Sequence, residues 1–212
     1  MKKILSVTAL CLLSTSVFAQ SAQTGLVIGA AAGAASTASY DSSGIASNIT
    51  KTEGGPISSV IIGYDLALNQ HISLGLESGF GYGYDLASLK ADGSDKSRLS
   101  QWYIPLLVAG KYTFTNGVNA FVKGGATYVH QRLTNIGAYF APNIDNSNSE
   151  FLPTIVVGAG YKFQNGINVG GQFSYLFGST AKIRAGDSLD GNDVKVAASA
   201  SLSAYISYTL PM

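Results

Sequence analysis

Only 12% of the 212 residues are charged, against 46% hydrophobic, and the formal net charge is +1. That is about half the ~25% charged fraction of an ordinary soluble domain, and the near-neutral balance gives no footing for nucleic acid or an acidic partner. Glycine is abundant, at 25 residues, and tyrosine, at 12, outnumbers every other aromatic.

The N-terminus reads as a secretory signal. Lys2 and Lys3 form a positive n-region, Ile4 to Leu13 a short apolar run, and Val17-Phe18-Ala19 a small-x-small cleavage site. The apolar run is too short to span a bilayer. Cleavage after Ala19 is expected to leave residues 20–212 as one domain. The one cysteine, Cys11, departs with the leader, so no disulfide or cysteine-ligated metal is available afterwards. Losing Lys2 and Lys3 from 13 basic residues leaves 11 against 12 acidic, a net charge of −1. The remaining chain has no stretch of ~20 consecutive apolar residues, which excludes helical spans.

Strand periodicity then recurs along the chain. The first predicted strand, Thr24 to Ala35, alternates Leu26, Ile28 and alanines with Gly25, Val27, Gly29 and Ala31. Ser36 to Pro56 follows as a long polar loop. The second strand, Ile57 to Ala67, sets Val60, Ile62, Tyr64 and Leu66 against Ser59, Ile61, Gly63 and Asp65. Leu68-Asn69-Gln70 is a tight turn.

The third strand, His71 to Tyr84, is the clearest. Ile72, Leu74, Leu76, Ser78, Phe80, Tyr82 and Tyr84 share one face; His71, Ser73, Gly75, Glu77, Gly79, Gly81 and Gly83 share the other. A soluble sandwich rarely exposes a face made of glycine. A transmembrane barrel puts its bulky face into lipid and its small and polar face into a narrow lumen. Asp85 to Leu99 is expected to be a polar loop.

The fourth strand, Ser100 to Phe114, carries Trp102, Ile104, Leu106, Val108, Tyr112 and Phe114 on the bulky face. Pro105 cannot donate to the ladder, so a bulge or pairing gap is expected there. Thr115-Asn116-Gly117 is a hairpin turn leading to the fifth strand, Val118 to Arg132. Leu133 to Glu150 is a long polar loop, and the sixth strand is Phe151 to Phe163. Gln164-Asn165-Gly166 repeats the Asn-Gly turn before the seventh strand, Ile167 to Gly178. A last loop, Ser179 to Asp193, precedes the eighth strand, Val194 to Leu210, in which Val196, Ala198, Ala200, Leu202, Ala204, Ile206, Tyr208 and Leu210 are expected to face outward.

Eight strands, with three tight turns alternating with four long loops, predict an all-β, eight-stranded antiparallel up-and-down transmembrane barrel. An even count closes the sheet and leaves no edge in lipid. The aromatics sort into two belts. Tyr64, Tyr112, Phe114, Tyr161, Phe163 and Tyr208 lie at the turn end or the C-terminus; Tyr82, Tyr84, Trp102, Tyr128, Tyr175 and Phe177 lie at the loop end. Two belts flanking an apolar band mark the two membrane interfaces. A lipocalin-like soluble barrel would reverse this sidedness.

Phe121-Val122-Lys123-Gly124-Gly125-Ala126-Thr127-Tyr128, Gly158-Ala159-Gly160-Tyr161-Lys162-Phe163 and Gly170-Gly171-Gln172-Phe173-Ser174-Tyr175 resemble the small outer-membrane barrels of OmpA, OmpX and opacity type. Ile104-Pro105-Leu106-Leu107 fits the same pattern. The resemblance implies outer-membrane localisation and contact with outer-membrane lipid and lipopolysaccharide. It departs at Pro211-Met212, where such barrels commonly end in an aromatic residue.

The inward charges are Asp65, Glu77, Lys111, Lys123 and Lys162. An eight-stranded barrel is filled by its side chains, and unpaired charges there would cost several kcal/mol. A luminal ion-pair network, structural or pore-lining, is therefore expected. Inward glycines could leave water-filled pockets beside it. His130 sits on the lipid-facing parity of the fifth strand, where some barrels of this kind modify lipid A, but no serine follows two residues on. His71 is expected to face the lumen at the turn end. Two distant histidines make no metal site, and the glycines lie within strands, not at a strand-to-helix junction. No catalytic residue, cofactor or metal is assigned.

Ile45, Ile49, Leu86, Leu89, Tyr139, Phe140, Ile144, Ile183 and Leu189 stud the loops and could contact a host or surface ligand. The expected function is a monomeric, non-enzymatic barrel serving membrane integrity, adhesion or surface contact through four loops. The alternatives are a narrow passive channel and, third, a lipid A-modifying enzyme.

Overall fold

In the computed structural model the described residues are 21–37, 40–41, 49–91, 95–136, 145–179, 181–182 and 196–212. The signal segment and most residues joining strands at the loop end, including Ile45, Tyr139, Phe140, Ile144, Ile183 and Leu189, lie outside them. Eight long strands make the wall: β1 (Gly25–Thr37), β2 (Gly55–Ala67), β3 (Ile72–Ala91), β4 (Asp95–Thr113), β5 (Val118–Ile136), β6 (Asp145–Lys162), β7 (Ile167–Leu176) and β8 (Ser199–Pro211). Each pairs antiparallel with its chain neighbour, and β1 closes the barrel on β8, from Gly25 opposite Pro211 to Thr37 opposite Ser199. Ile49–Glu53 extends the sheet along the far end of β3. Tyr40–Asp41 pairs in parallel with Ala181–Lys182.

The turns are built as their residues dictate. Gly117 and Gly166 have φ of 86° and 85°, which glycine adopts without strain. Asn116 and Asn165 each accept a bond from the backbone N–H two residues on, at 3.1 and 3.2 Å. At the third turn Asn69 Oδ1 accepts from both His71 N and Ile72 N at 2.8 Å.

Along the middle of the strands most of the large aliphatic residues face out. Val60, Leu76, Leu106, Val108 and Leu202 are more than half exposed, while Asp65, Glu77, Ala109 and Lys123 are buried inside. From Trp102 to Tyr112 is ten residues; at ~3.4 Å per residue and a tilt near 40° that is roughly 26 Å, the height of an outer-membrane apolar band. The pairing gap expected at Pro105 is present. β3 and β4 pair at Ser78–Leu106 and again at Gly81–Tyr103, with no pair between. Ser78 Oγ bridges the gap by donating to the Pro105 carbonyl at 2.8 Å.

Two expected loops are largely strand. β3 and β4 run on beyond Tyr84 and pair Ala87–Leu99 through Ala91–Asp95, after a bulge at which Asp85 has φ 56°. β5 and β6 likewise pair from Tyr128–Phe151 out to Thr134–Asp145. The sequence signal is lost there because the sidedness reverses. Beyond the belt the wall stands in water, so apolar residues turn inward. Leu86, Leu99, Val129 and Leu152 are buried, while Arg132 and Ser149 are exposed. Leu86, assigned to a loop surface from sequence, is fully buried against Ala35 and Ile57.

The start of the eighth strand is corrected for the same reason. Val196 and Ala198 do not face lipid; both are buried, and regular pairing begins only at Ser199. Residues 196–198 are tied to Ser179 by its N–H donating to Val196 O at 2.8 Å and by Ala198 N donating back to Ser179 O at 3.0 Å.

Candidate functional site

The lumen is the first candidate. Near the turn end Lys111 Nζ lies 2.9 Å from Asp65 Oδ2 and 2.7 Å from Glu77 Oε1. Lys123 Nζ lies 2.5 Å from Glu77 Oε2 and 4.7 Å from the Phe121 ring centre. The four groups come from β2, β3, β4 and β5, so one cluster stitches half the wall together. β-strand alternation aims all of them inward. The fifth inward charge, Lys162, is half-buried and forms no ion pair of this kind with the described carboxylates.

Beside the charges, Phe121 and Tyr205 meet edge to face at 5.5 Å, packed with Ala31, Leu107 and Val156. The inward glycines do not leave open space. A Cβ at Gly81 would run into the Tyr103 ring, one at Gly158 into Phe121, and one at Gly160 into the Tyr205 hydroxyl. Each glycine is the socket for a ring from a nearby strand: Tyr103 and Phe121 are the paired partners of Gly81 and Gly158, and Tyr205 reaches Gly160 over Gly170. Among the described residues a cavity of about 60 Å³ lies between Glu77, Lys123, Tyr103, Thr127, Thr154 and Gln172. That is room for a few waters at most.

Toward the loop end Tyr103 packs under two apolar clusters, one of Val129, Leu152, Leu176 and Val196, the other of Ala35, Ile57 and Leu86. Above them Gln131 donates to Gln101 Oε1 at 2.9 Å and clasps Ala197 from both sides.

The second candidate is the lipid-facing wall at the loop-end belt. His130 stacks on Trp102 at 5.2 Å and 24°, and its Nδ1 is hydrogen-bonded to Ser149 Oγ at 2.7 Å. That serine comes from the next strand, where spacing along β5 could not reveal it. No described carboxylate bonds the other ring nitrogen of His130. His71, at the opposite end, donates to the Thr113 carbonyl at 2.9 Å and stacks on Tyr112.

A model of the outer membrane protein beta-barrel domain family matches residues 5–201. Neisserial surface protein A (NspA) has a similar structure, with a TM-score of 0.55 and 15% identity over 89% of this chain and 99% of its own. Ail, the attachment invasion locus protein of Yersinia pestis, gives 0.46 and 11% over 89% and 99%. OprG from Pseudomonas aeruginosa gives 0.47 and 10% over 92% and 100%. No curated protein matches the chain in sequence. The sidedness of the wall, its two aromatic belts and the family match agree: this chain belongs to the outer-membrane β-barrel family and resides in the outer membrane.

Proposed function

We propose that this protein is a sealed, monomeric outer-membrane barrel acting as a structural and surface-contact scaffold. Residues 1–19 serve as its signal segment and 20–212 as its single domain. The observation that carries the reading is the filling of the lumen at two levels. The Asp65–Lys111–Glu77–Lys123 cluster fills the turn-end half, and the Tyr103-centred apolar clusters fill the loop-end half. In this reading the ion pairs, with Lys162 at their margin, are structural and do not filter solute. A buried charge cluster of this kind specifies one arrangement of strands even where it adds little net stability.

Function then belongs to the hairpins that rise past the loop-end belt and to the segments 42–48, 92–94, 137–144 and 183–195 that join strands there. Rigid scaffolds commonly present binding residues on such connections, here toward a host or environmental surface. The test replaces 42–48, 92–94, 137–144 and 183–195, singly and together, with short Gly-Ser links in cells that express this barrel. The barrel is expected to remain in the outer membrane while attachment to host cells or matrix falls. Full attachment after every segment is replaced would refute the contact role.

The alternative, a passive channel, draws support only from the small cavity beside Glu77 and Lys123. Conductance measurements separate the two readings.

A further inference from the structure

Two luminal side chains, one on β5 and one on β7, are short of partners and line the same cavity. Gln172, on the lumen face of β7, has a buried Oε1 with no hydrogen-bond partner among the described residues. A buried acceptor left unpaired is costly. Lys123, on β5, carries three N–H donors. It gives one to Glu77 Oε2 and faces the Phe121 ring at 4.7 Å; no second oxygen acceptor lies within bonding distance among the described residues. The strand between them offers no link. On β6, Val156 lies opposite Lys123 and Gly158 opposite Gln172, and neither has a polar side chain.

The cavity has the size and chemistry to supply that link. Its volume of about 60 Å³ takes a few waters. Thr127 and Thr154, hydrogen-bonded to each other at 2.7 Å, line it beside Lys123 and Gln172. A water there has a donor in the Lys123 ammonium, an acceptor in Gln172 Oε1 and a hydroxyl in Thr127, within the two to four polar partners that a buried water needs. The adjoining cluster holds two carboxylates, Asp65 and Glu77, against two ammonium groups, Lys111 and Lys123. With those charges balanced, the fitting occupant is uncharged.

We propose that this cavity binds ordered water, which bridges Lys123 Nζ to Gln172 Oε1 and Thr127 Oγ1. The bridge carries the ion cluster of β2 to β5 across the lumen to β7, and the Ser174–Ser201 hydroxyl pair, at 2.5 Å, continues it to β8. A bridging water is nearly as good a tie as a direct hydrogen bond. The proposal rests on the closed lumen of the preceding reading.

The test is water-edited solid-state NMR of the isotope-labelled full chain, refolded into phosphatidylcholine vesicles. It reads how fast magnetisation passes from water to each side chain. Transfer to Lys123 Nζ and Thr127 Cβ is expected to be several-fold faster than to Val129 and Leu152, which lie in the apolar cluster above. In Gln172→Leu, transfer to Thr127 should fall by about half or more, as for a bridging water that has lost an acceptor. Gln172→Met, closer in length, should do the same and serves if the Leu variant fails to refold, as judged by heat-shifted gel mobility. Wild-type transfer to Thr127 no faster than to Val129 would overturn the water site alone. So would transfer to Thr127 unchanged in both variants. Xenon-induced shifts of the Leu107 and Val156 methyl signals would also overturn it, because xenon enters dry apolar cavities. Fast transfer that also reaches Val129 and Leu152 would overturn the site together with the closed lumen.

Discussion

Gln131 holds Ala197 by both of its backbone polar groups: its Oε1 accepts from Ala197 N at 2.8 Å and its Nε2 donates to Ala197 O at 3.2 Å. The contact spans 66 residues and is buried. Together with the two backbone bonds to Ser179 it holds residues 196–198 in the barrel mouth in place of a regular start to β8. Gln131→Leu would strand two backbone groups, each worth about 1–3 kcal/mol when buried and unsatisfied. Hydrogen exchange of the peptide covering 196–198 is expected to speed up at least tenfold while exchange in β3 and β4 stays unchanged. Equal protection in the variant would show that the clasp is incidental.

Glu77 is the shared carboxylate of the luminal cluster, paired with both Lys111 and Lys123. Lys111 has Asp65 as a second partner, whereas Lys123 has no other carboxylate within ion-pair distance among the described residues. Glu77→Gln therefore leaves Lys123 buried and uncompensated, a loss of about 3–5 kcal/mol. Adding Lys123→Met should restore most of it, because the uncompensated charge goes too. Urea unfolding of the vesicle-inserted barrel checks this. Additive losses in the double variant would mean that the two groups are not coupled.

Tyr103 occupies the space that a side chain at Gly81 would need. Gly81→Val is expected to destabilise by about 1–3 kcal/mol through overpacking, and Tyr103→Ala in the same chain should recover part of that. Urea midpoints of the single and double variants decide it. No recovery would place the strain elsewhere.

The lipid-facing wall makes a depth-dependent prediction. Leu106 lies near the middle of the band and Tyr112 at the turn-end belt, and both point outward. Leu106→Arg is expected to cost about 2–4 kcal/mol and Tyr112→Arg roughly 0–1. Equal costs at the two depths would contradict the transmembrane placement.

The barrel itself was legible because alternation along each strand reports directly on two environments, lipid and lumen. Leu74 against Ser73 and Leu76 against Glu77 state their faces one residue at a time. The rule misled where one environment changed. Past Tyr84 and Tyr128 the outside is water, polar residues move outward, and the outward apolar signal vanishes although pairing continues to Ala91 and Ile136. Val196 and Ala198 kept the alternation of the eighth strand but belong to the plug, which periodicity alone cannot distinguish. The inward charges could be named from parity. Which of them meet depends on strand stagger: Glu77 sits opposite Leu107 in β4, yet its carboxylate meets Lys111 and Lys123. The Ser149–His130 contact was invisible because it joins residues 19 apart across two strands.

In the proposed reading the lumen is closed by its own side chains. Single-channel recording of the refolded barrel in a planar bilayer tests it most directly. Protein shown to be folded is expected to be silent, with brief openings only when Gln131→Leu and Glu77→Gln are combined. Steady openings from the wild-type chain, altered by substitution of Lys123 or Glu77, would contradict it and make the cluster the filter of a pore.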